Sequence, residues 1–201
     1  MSTIETLVEK IRQGEMVVLM DHKDRENEAD IVMAAEKVTP WHINFMITYA
    51  KGLICVPMAK SRCEALQLEL QPRRNCQPCC PKFTVSIEAA EGVTTGVSAE
   101  DRAHTIQVAA DLSLGPDAIS TPGHIFPIMA EENGVLSRQG HTEGAYDLVR
   151  LAGLSPVAIV CEITKADGSM CRYEDVQAFA QEHNLSIGYI DDLIEYRRKG
   201  Q

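Results

Sequence analysis

Apolar residues recur at helical spacing near the start of the chain, where Ile4, Leu7, Val8 and Ile11 share one face of a helix over residues 3–13 that stops at Gly14. The run Met16-Val17-Val18-Leu19-Met20 is apolar at every position and predicts a buried strand; Ile31-Val32-Met33-Ala34 predicts another. Thr39-Pro40 has the form of a helix start, with Thr as cap and Pro in the first turn, and Gly52 marks its end. Leu53-Ile54-Cys55-Val56 is a short apolar strand, and residues 61–70 a further helix. Phe83, Val85 and Ile87 alternate with Thr84, Ser86 and Glu88, the pattern of a strand with one buried face. Ser98-Ala99-Glu100-Asp101 fits a capping box that opens a helix running to about Leu112. Residues 116–127 are rich in turn formers. A helix over 142–152, closed by Gly153, precedes a β-branched strand over 157–163, and the C-terminal part gives helix (173–183), strand (185–189) and helix (191–198).

Strands that alternate with helices predict an α+β fold, a layered α/β sandwich in which helices flank a mixed sheet. No internal repeat or linker divides the chain, so one domain over residues 1–201 is expected. Sites in such sheets gather at strand ends.

Composition narrows the function. A hydrophobic fraction of 45% suits a globular core, and a net charge of -10 argues against nonspecific binding to nucleic acid or to an anionic membrane. No apolar stretch approaches the roughly 18 residues of a membrane span, and Met1-Ser2-Thr3-Ile4-Glu5 lacks the layout of a signal peptide, so a cytoplasmic protein is expected. The 7 cysteines, odd in number and irregularly spaced, are expected to be reduced thiols. Cys76, Cys79 and Cys80 invite a zinc reading, but no second ligand pair follows at the required spacing.

The strand at Met16–Met20 empties into Asp21, Asp24, Glu26, Glu28 and Asp30. Carboxylates this dense repel one another unless solvent, bases or a cation compensates, and hard divalent cations prefer oxygen ligands. A solvated loop is the ordinary explanation of such a run. Against it stands the alternation of Asp24, Glu26, Glu28 and Asp30, which in an extended chain would put all four on one face. An EF-hand is excluded: counted from Asp24, the turn position holds Ala29 and the bidentate position Ala35. The run therefore needs partners from elsewhere in the chain.

Four segments supply candidates. Gly92-Val93-Thr94-Thr95-Gly96-Val97-Ser98, between a strand and a helix, offers backbone N–H groups and hydroxyls as a phosphate cradle, though without a P-loop ending. Arg138-Gln139-Gly140-His141-Thr142-Glu143 combines a forked anion binder, a glycine that permits close approach, an imidazole and a hydroxyl at a helix start. His124 sits in the Pro/Gly-rich Thr121-Pro122-Gly123-His124-Ile125-Phe126-Pro127, a rigid mount for an acid or base. Glu162 lies within the apolar strand that runs through Val157-Ala158-Ile159-Val160-Cys161, and either ends it at a site or is a paired core charge. Carboxylate, histidine and anion binder together suit a phosphorylated substrate held on Mg²⁺. Read from the residues alone, a metal-dependent sugar-phosphate isomerase and a noncatalytic Mg²⁺- or nucleotide-binding module remain open.

In order along the chain, Asp24-Arg25-Glu26-Asn27-Glu28, residues 83–98, Pro122-Gly123-His124, residues 138–143, Cys161-Glu162 and Tyr189-Ile190-Asp191-Asp192-Leu193 resemble the 3,4-dihydroxy-2-butanone 4-phosphate synthases of riboflavin biosynthesis. The resemblance implies that D-ribulose 5-phosphate is enolised, dehydrated and rearranged, with one carbon lost as formate. It implies Glu26 and His141 as ligands of magnesium, with manganese as the alternative ion. Arg25, Glu26, Asp30, Arg138, Gln139, Gly140, His141, Thr142 and Glu162 would hold the substrate, and His124 and Glu162 would be catalytic. Cys55 falls where the family has a cysteine near the site. A homodimer is implied, with active sites near the subunit interface. Some members carry a fused GTP cyclohydrolase II domain, which this sequence is too short to hold, so the monofunctional form is expected. Ala29 departs from the glycine of many members, and the cysteine-rich loop over 75–82 from a more polar, glycine-bearing segment.

Overall fold

The computed structural model describes residues 2–75 and 80–200. Strands β1 (Val17–Met20) and β2 (Ala29–Ala34) are buried throughout, which requires cover on both faces of the sheet they belong to. Strands β3 (Cys55–Met58), β4 (Lys82–Phe83), β5 (Ile87–Ala89), β6 (Ile119–Met129), β7 (Ala158–Glu162) and β8 (Ser186–Tyr189) complete that sheet. Its order is β4-β6-β3-β7-β2-β1-β8, with β5 pairing to β6. The sheet is mixed as expected: β1 runs parallel to β8 and β3 to β6, whereas β2 is antiparallel to both β1 and β7.

Helices α1 (Ile4–Gln13), α5 (His141–Leu151) and α7 (Ile190–Lys199) cover one face, packing Leu7, Leu148 and Leu193 with Val17, Leu19 and Val160. Helices α2 (Pro40–Phe45), α3 (Lys60–Ala65), α4 (Ala99–Ala110) and α6 (Tyr173–Glu182) cover the other, with Ile43, Cys63, Ile106 and Val176 against Val18, Ile31 and Ile159. Successive strand residues thus feed opposite layers, which is the period-2 alternation hidden inside runs that read as uniformly apolar. Helix α5 is buried along most of its length. It lies close on the sheet because Gly144 has no Cβ; one built there would press into Leu19.

Several boundaries differ from the sequence pattern. The helix at Thr39-Pro40 ends as a π turn over Met46–Ala50 with Lys51 left-handed, before the glycine that was expected to stop it. Gly52 is instead pressed against the Glu162 backbone and carboxylate. Helix α3 is shorter than the 61–70 pattern. The alternating segment at 83–88 is split between β4 and β5, with Thr84 buried where a solvent-facing residue was expected; its hydroxyl donates to the carbonyls of Val85 and Pro127. Residues 119–127, expected as turns, run as strand β6 through a cis Thr121–Pro122 bond. Cys76 and Cys79 lie outside the described residues.

Candidate active site

Strand register builds the floor of the site. Asp30, near the start of β2, is directly opposite Glu162, at the end of β7, and Cys55 opens β3 beside Val160. All four side chains line one pocket on the α5 face of the sheet. Glu162 is held by the Leu53 N–H, which donates to Oε2 at 2.9 Å. Asp30 is buried, and its Oδ1 has no hydrogen-bond partner. Burial, and then the carboxylates of Glu162, Glu28, Glu26 and Asp21, push the Asp30 carboxyl well above its ordinary range.

The acidic loop folds over this floor. It is not extended: Asn27 takes φ 54°, a left-handed turn that asparagine tolerates. Three of the four alternating carboxylates, Glu26, Glu28 and Asp30, still reach the pocket, whereas Asp24 turns away beside His22. The residue that organises the loop is Asp21. Its Oδ1 accepts from the Glu28 N–H (2.8 Å), and its Oδ2 accepts from the Glu26 N–H (3.1 Å) and from Arg25 Nη1 (2.8 Å). Burial alone would raise the Asp21 carboxyl, but those hydrogen bonds and the nearby His141 hold it below its usual value. From outside, Arg172 Nη1 donates to the carbonyls of Glu26 (2.6 Å) and Asn27 (2.8 Å).

Helix α5 closes the pocket from above. Gly140 is its cap, and His141, Thr142 and Glu143 form its buried first turn. His141 Nδ1 lies 3.9 Å from Glu26 Oε2 and 4.0 Å from Asp30 Oδ1, while its Nε2 is buried without a partner. Burial pushes His141 below the ordinary histidine value, against the pull of Asp21 and Glu26, so the imidazole keeps a lone pair for a ligand. One ligand atom each from Asp21, Glu26 and His141 lies within 4.8 Å of the others. Both Asp21 oxygens are engaged by the loop, and Glu26 Oε2 accepts from Arg25 Nη1 at 2.5 Å, which leaves the other Glu26 oxygen and the His141 imidazole as the more available donors. Arg138 Nη1 donates to Glu143 Oε2 at 2.6 Å, and this buried carboxylate fixes the guanidinium at the pocket rim.

Glu26, Asp30, Arg138, His141, Thr142 and Glu162 therefore come together. Arg25 and Gln139 line an adjoining depression with His22 and Asp24, and Gly140 lies against the guanidinium groups of both Arg138 and Arg25. His124 is not part of this pocket. It stands on β6, half exposed, with Nδ1 2.6 Å from Glu88 Oε2. The expected phosphate cradle is already filled. The Asp101 carboxylate accepts from the N–H groups of Thr94 and Gly96 and from the Thr94 hydroxyl, occupying the donors an anion would need. The sequence placed Asp21 and Glu28 only within the acidic run as a whole and gave no individual role to either, nor to Glu88 or Glu143, although Asp21 directly follows the apolar run, where a strand-end carboxylate meets loop N–H groups.

The model of one family, 3,4-dihydroxy-2-butanone 4-phosphate synthase, matches residues 5–196. The chain belongs to this family. Its curated relatives include the 3,4-dihydroxy-2-butanone 4-phosphate synthases of Pseudomonas aeruginosa, 55% identical over 197 residues, and of Photobacterium phosphoreum, 50% identical over 199. These matches cover 98% and 99% of the chain but 54% and 55% of the relatives, so the chain spans about half their length. Among solved structures, a two-domain 3,4-dihydroxy-2-butanone 4-phosphate synthase from A. baumannii is 52% identical with a TM-score of 0.94, over 98% of this chain and 58% of that one. A 3,4-dihydroxy-2-butanone 4-phosphate synthase in complex with two magnesium ions is 37% identical with a TM-score of 0.93, covering 99% of this chain and 98% of its own. The α+β fold read from the sequence is thus the fold of the family.

Proposed function

We propose that the chain, acting as one synthase domain, converts D-ribulose 5-phosphate to L-3,4-dihydroxy-2-butanone 4-phosphate and formate in riboflavin biosynthesis. The observation that carries this reading is the Asp30–Glu162 pair lying beneath Glu26 and His141, with Arg138 and the start of α5 at the rim. Family membership supports it, as does the two-magnesium complex of the relative described above. Glu26 and His141 are the residues we assign to a divalent cation, magnesium or alternatively manganese. The donor set fits: a carboxylate next to a buried imidazole whose Nε2 lacks a partner, backed by the unpartnered Asp30 Oδ1. When bound, the cation supplies polarisation of adjacent ketose oxygens, which lowers the cost of enolisation.

The remaining work falls to the chain's own groups. Arg138 and the unpaired N–H groups at the start of α5 suit a phosphate, with Arg25, Gln139, Gly140 and Thr142 orienting the sugar. Burial, and then the Glu162 carboxylate opposite it, push the Asp30 carboxyl up, so Asp30 can hold a proton and pass it on at the pocket floor. His124 is the second proton carrier. We place it at the site of a homodimer rather than within the pocket of its own chain. Leu53, which anchors Glu162, and Val97, next to the Gly96 that abuts His124, are exposed apolar side chains that such an interface would bury. The five described cysteines are free thiols, as a reducing cytoplasm would keep them. No described helix is long and apolar enough to cross a membrane.

Incubation with ribulose 5-phosphate and Mg²⁺, followed by NMR, tests the reading. Formate should appear. New pentose phosphates without formate would make the protein an isomerase or epimerase, and an unchanged substrate would make it a binding module.

A further inference from the structure

The Thr94–Val97 loop, which the sequence offers as an anion cradle, serves a different purpose. Asp101 ties down its N–H groups, and the loop is driven hard against two side chains: a Cβ on Gly96 would overlap both the Glu88 carboxylate and His124 Nδ1. Gly96 takes φ 81°, so the approach depends on the absence of a side chain there. Beneath the loop runs a short chain of hydrogen bonds. The Ala89 N–H donates to Thr105 Oγ1 at 3.1 Å, the Thr105 hydroxyl donates to Glu88 Oε1 at 2.9 Å, and Glu88 Oε2 lies 2.6 Å from His124 Nδ1. Thr105 is wholly buried on α4, and the Glu88 side chain is only 12% exposed. His124 is half exposed, with Nε2 on the opposite ring edge from Glu88.

We propose that Glu88, fixed by Thr105 and shielded by Gly96, is a positioning residue that holds His124 in the Nδ1–H tautomer with Nε2 presented for proton transfer. This rests on the assignment of His124 as a proton carrier made above. The Thr105 hydroxyl accepts from the Ala89 N–H and donates its single hydrogen to Oε1. That fixes the rotation of the carboxylate and leaves Oε2 to accept from Nδ1–H. An imidazole so bonded has its lone pair at Nε2. It takes a proton there from substrate, and the imidazolium formed keeps its Nδ1–H on Glu88 until the proton is returned. Free histidine has no such constraint, and a ring on an exposed strand would otherwise sample both tautomers and several rotamers.

The test combines steady-state kinetics with ¹⁵N NMR of histidine-labelled protein, the His124 signals being assigned by their loss in His124→Asn. In the parent protein above neutral pH, His124 should show a protonated Nδ1 and an unprotonated Nε2. Glu88→Gln should abolish that pattern and lower kcat by on the order of 10²-fold, the scale of a displaced proton carrier, with KM changed less than about threefold. Thr105→Val should shift both readouts in the same direction by less, while Thr105→Ser, which keeps the hydroxyl, should restore them. If Glu88→Gln leaves the His124 nitrogen pattern as it was, or leaves kcat unchanged, Glu88 is not a positioning residue. If the parent protein makes no formate, the proposed function fails instead, and the nitrogen pattern still decides whether Glu88 sets the tautomer.

Discussion

Asp30 and Glu162 face one another across the β2–β7 ladder, two carboxylates in a paired register position at the floor of a single pocket. Like charges directly opposite on a sheet destabilise it, and Asp30 is buried with one oxygen unpartnered. The proposed function accounts for such a pair as stability given up for activity. In chelator-treated protein, Asp30→Asn should raise Tm, by roughly 2–4 °C for each kcal/mol of repulsion relieved, while turnover falls on the order of 10²-fold or more. Thermal melts beside kinetics check this; a lower Tm together with full activity would show that the pair is an ordinary structural contact.

The proposed function assigns different work to Glu26 and Glu162. Glu26→Gln keeps the shape but removes charge from the cation donors, so Mg²⁺ should bind more weakly and high metal should partly restore the rate. Glu162→Gln should leave metal and substrate affinity near normal and reduce kcat by about 10²- to 10⁴-fold, with no rescue by metal. Metal titrations with steady-state kinetics on both variants separate the roles, and rescue of Glu162→Gln by metal would reverse them.

Arg138 is held by the buried Glu143 at 2.6 Å, which aims its fork at the pocket rim. A lysine supplies a point charge without that fork. Arg138→Lys should raise KM for ribulose 5-phosphate about tenfold, the effect of about 1.4 kcal/mol, with a smaller change in kcat. An unchanged KM would remove Arg138 from phosphate binding.

Asp101 should matter for stability in a pH-dependent way. Its carboxyl is held below the usual value, first by the Thr94 hydroxyl and then by the Thr94 and Gly96 N–H groups, outweighing burial. A group whose folded-state pKa is depressed contributes stability that is present above its unfolded value, about 3.9, and is lost as pH falls through the folded value. The Tm difference between the parent protein and Asp101→Asn should thus be full near neutrality and shrink in that acid range. A difference independent of pH would mean that the charge is immaterial to the loop.

The sequence made most of the architecture legible because apolar periodicity, caps and β-branched runs report burial directly. The helix of Ile4, Leu7, Val8 and Ile11 and the strands at Val17 and Ala158 follow from that alone. Local chemistry misled where a distant partner decided the outcome. Gly52 looked like a helix stop, yet the close approach of Glu162 accounts for it. The glycine-rich loop at 92–98 looked like an anion site, but Asp101, read as half of a capping box, turns its carboxylate into it. Ser98 does cap α4 by accepting from the Asp101 N–H, so one half of that box forms. In the acidic run, alternation correctly grouped Glu26, Glu28 and Asp30 but included Asp24, because the left-handed turn at Asn27 carries no strong mark in the sequence. His124 was expected to be catalytic along with Glu162, and the register shift between Ile87 and Glu88 where β5 pairs with β6 sets it against Glu88, away from the pocket.

We propose that one pocket, built from Glu26, Asp30, His141 and Glu162, makes formate from a pentose phosphate with the help of a divalent cation. The most direct measurement follows formate and the four-carbon phosphate together by ¹H and ³¹P NMR, in chelated protein and after Mg²⁺ is restored. Both products should be absent under chelation and should form in equal amounts, at the same rate, once Mg²⁺ is added. Undiminished turnover after exhaustive chelation, or consumption of ribulose 5-phosphate without formate, would contradict it.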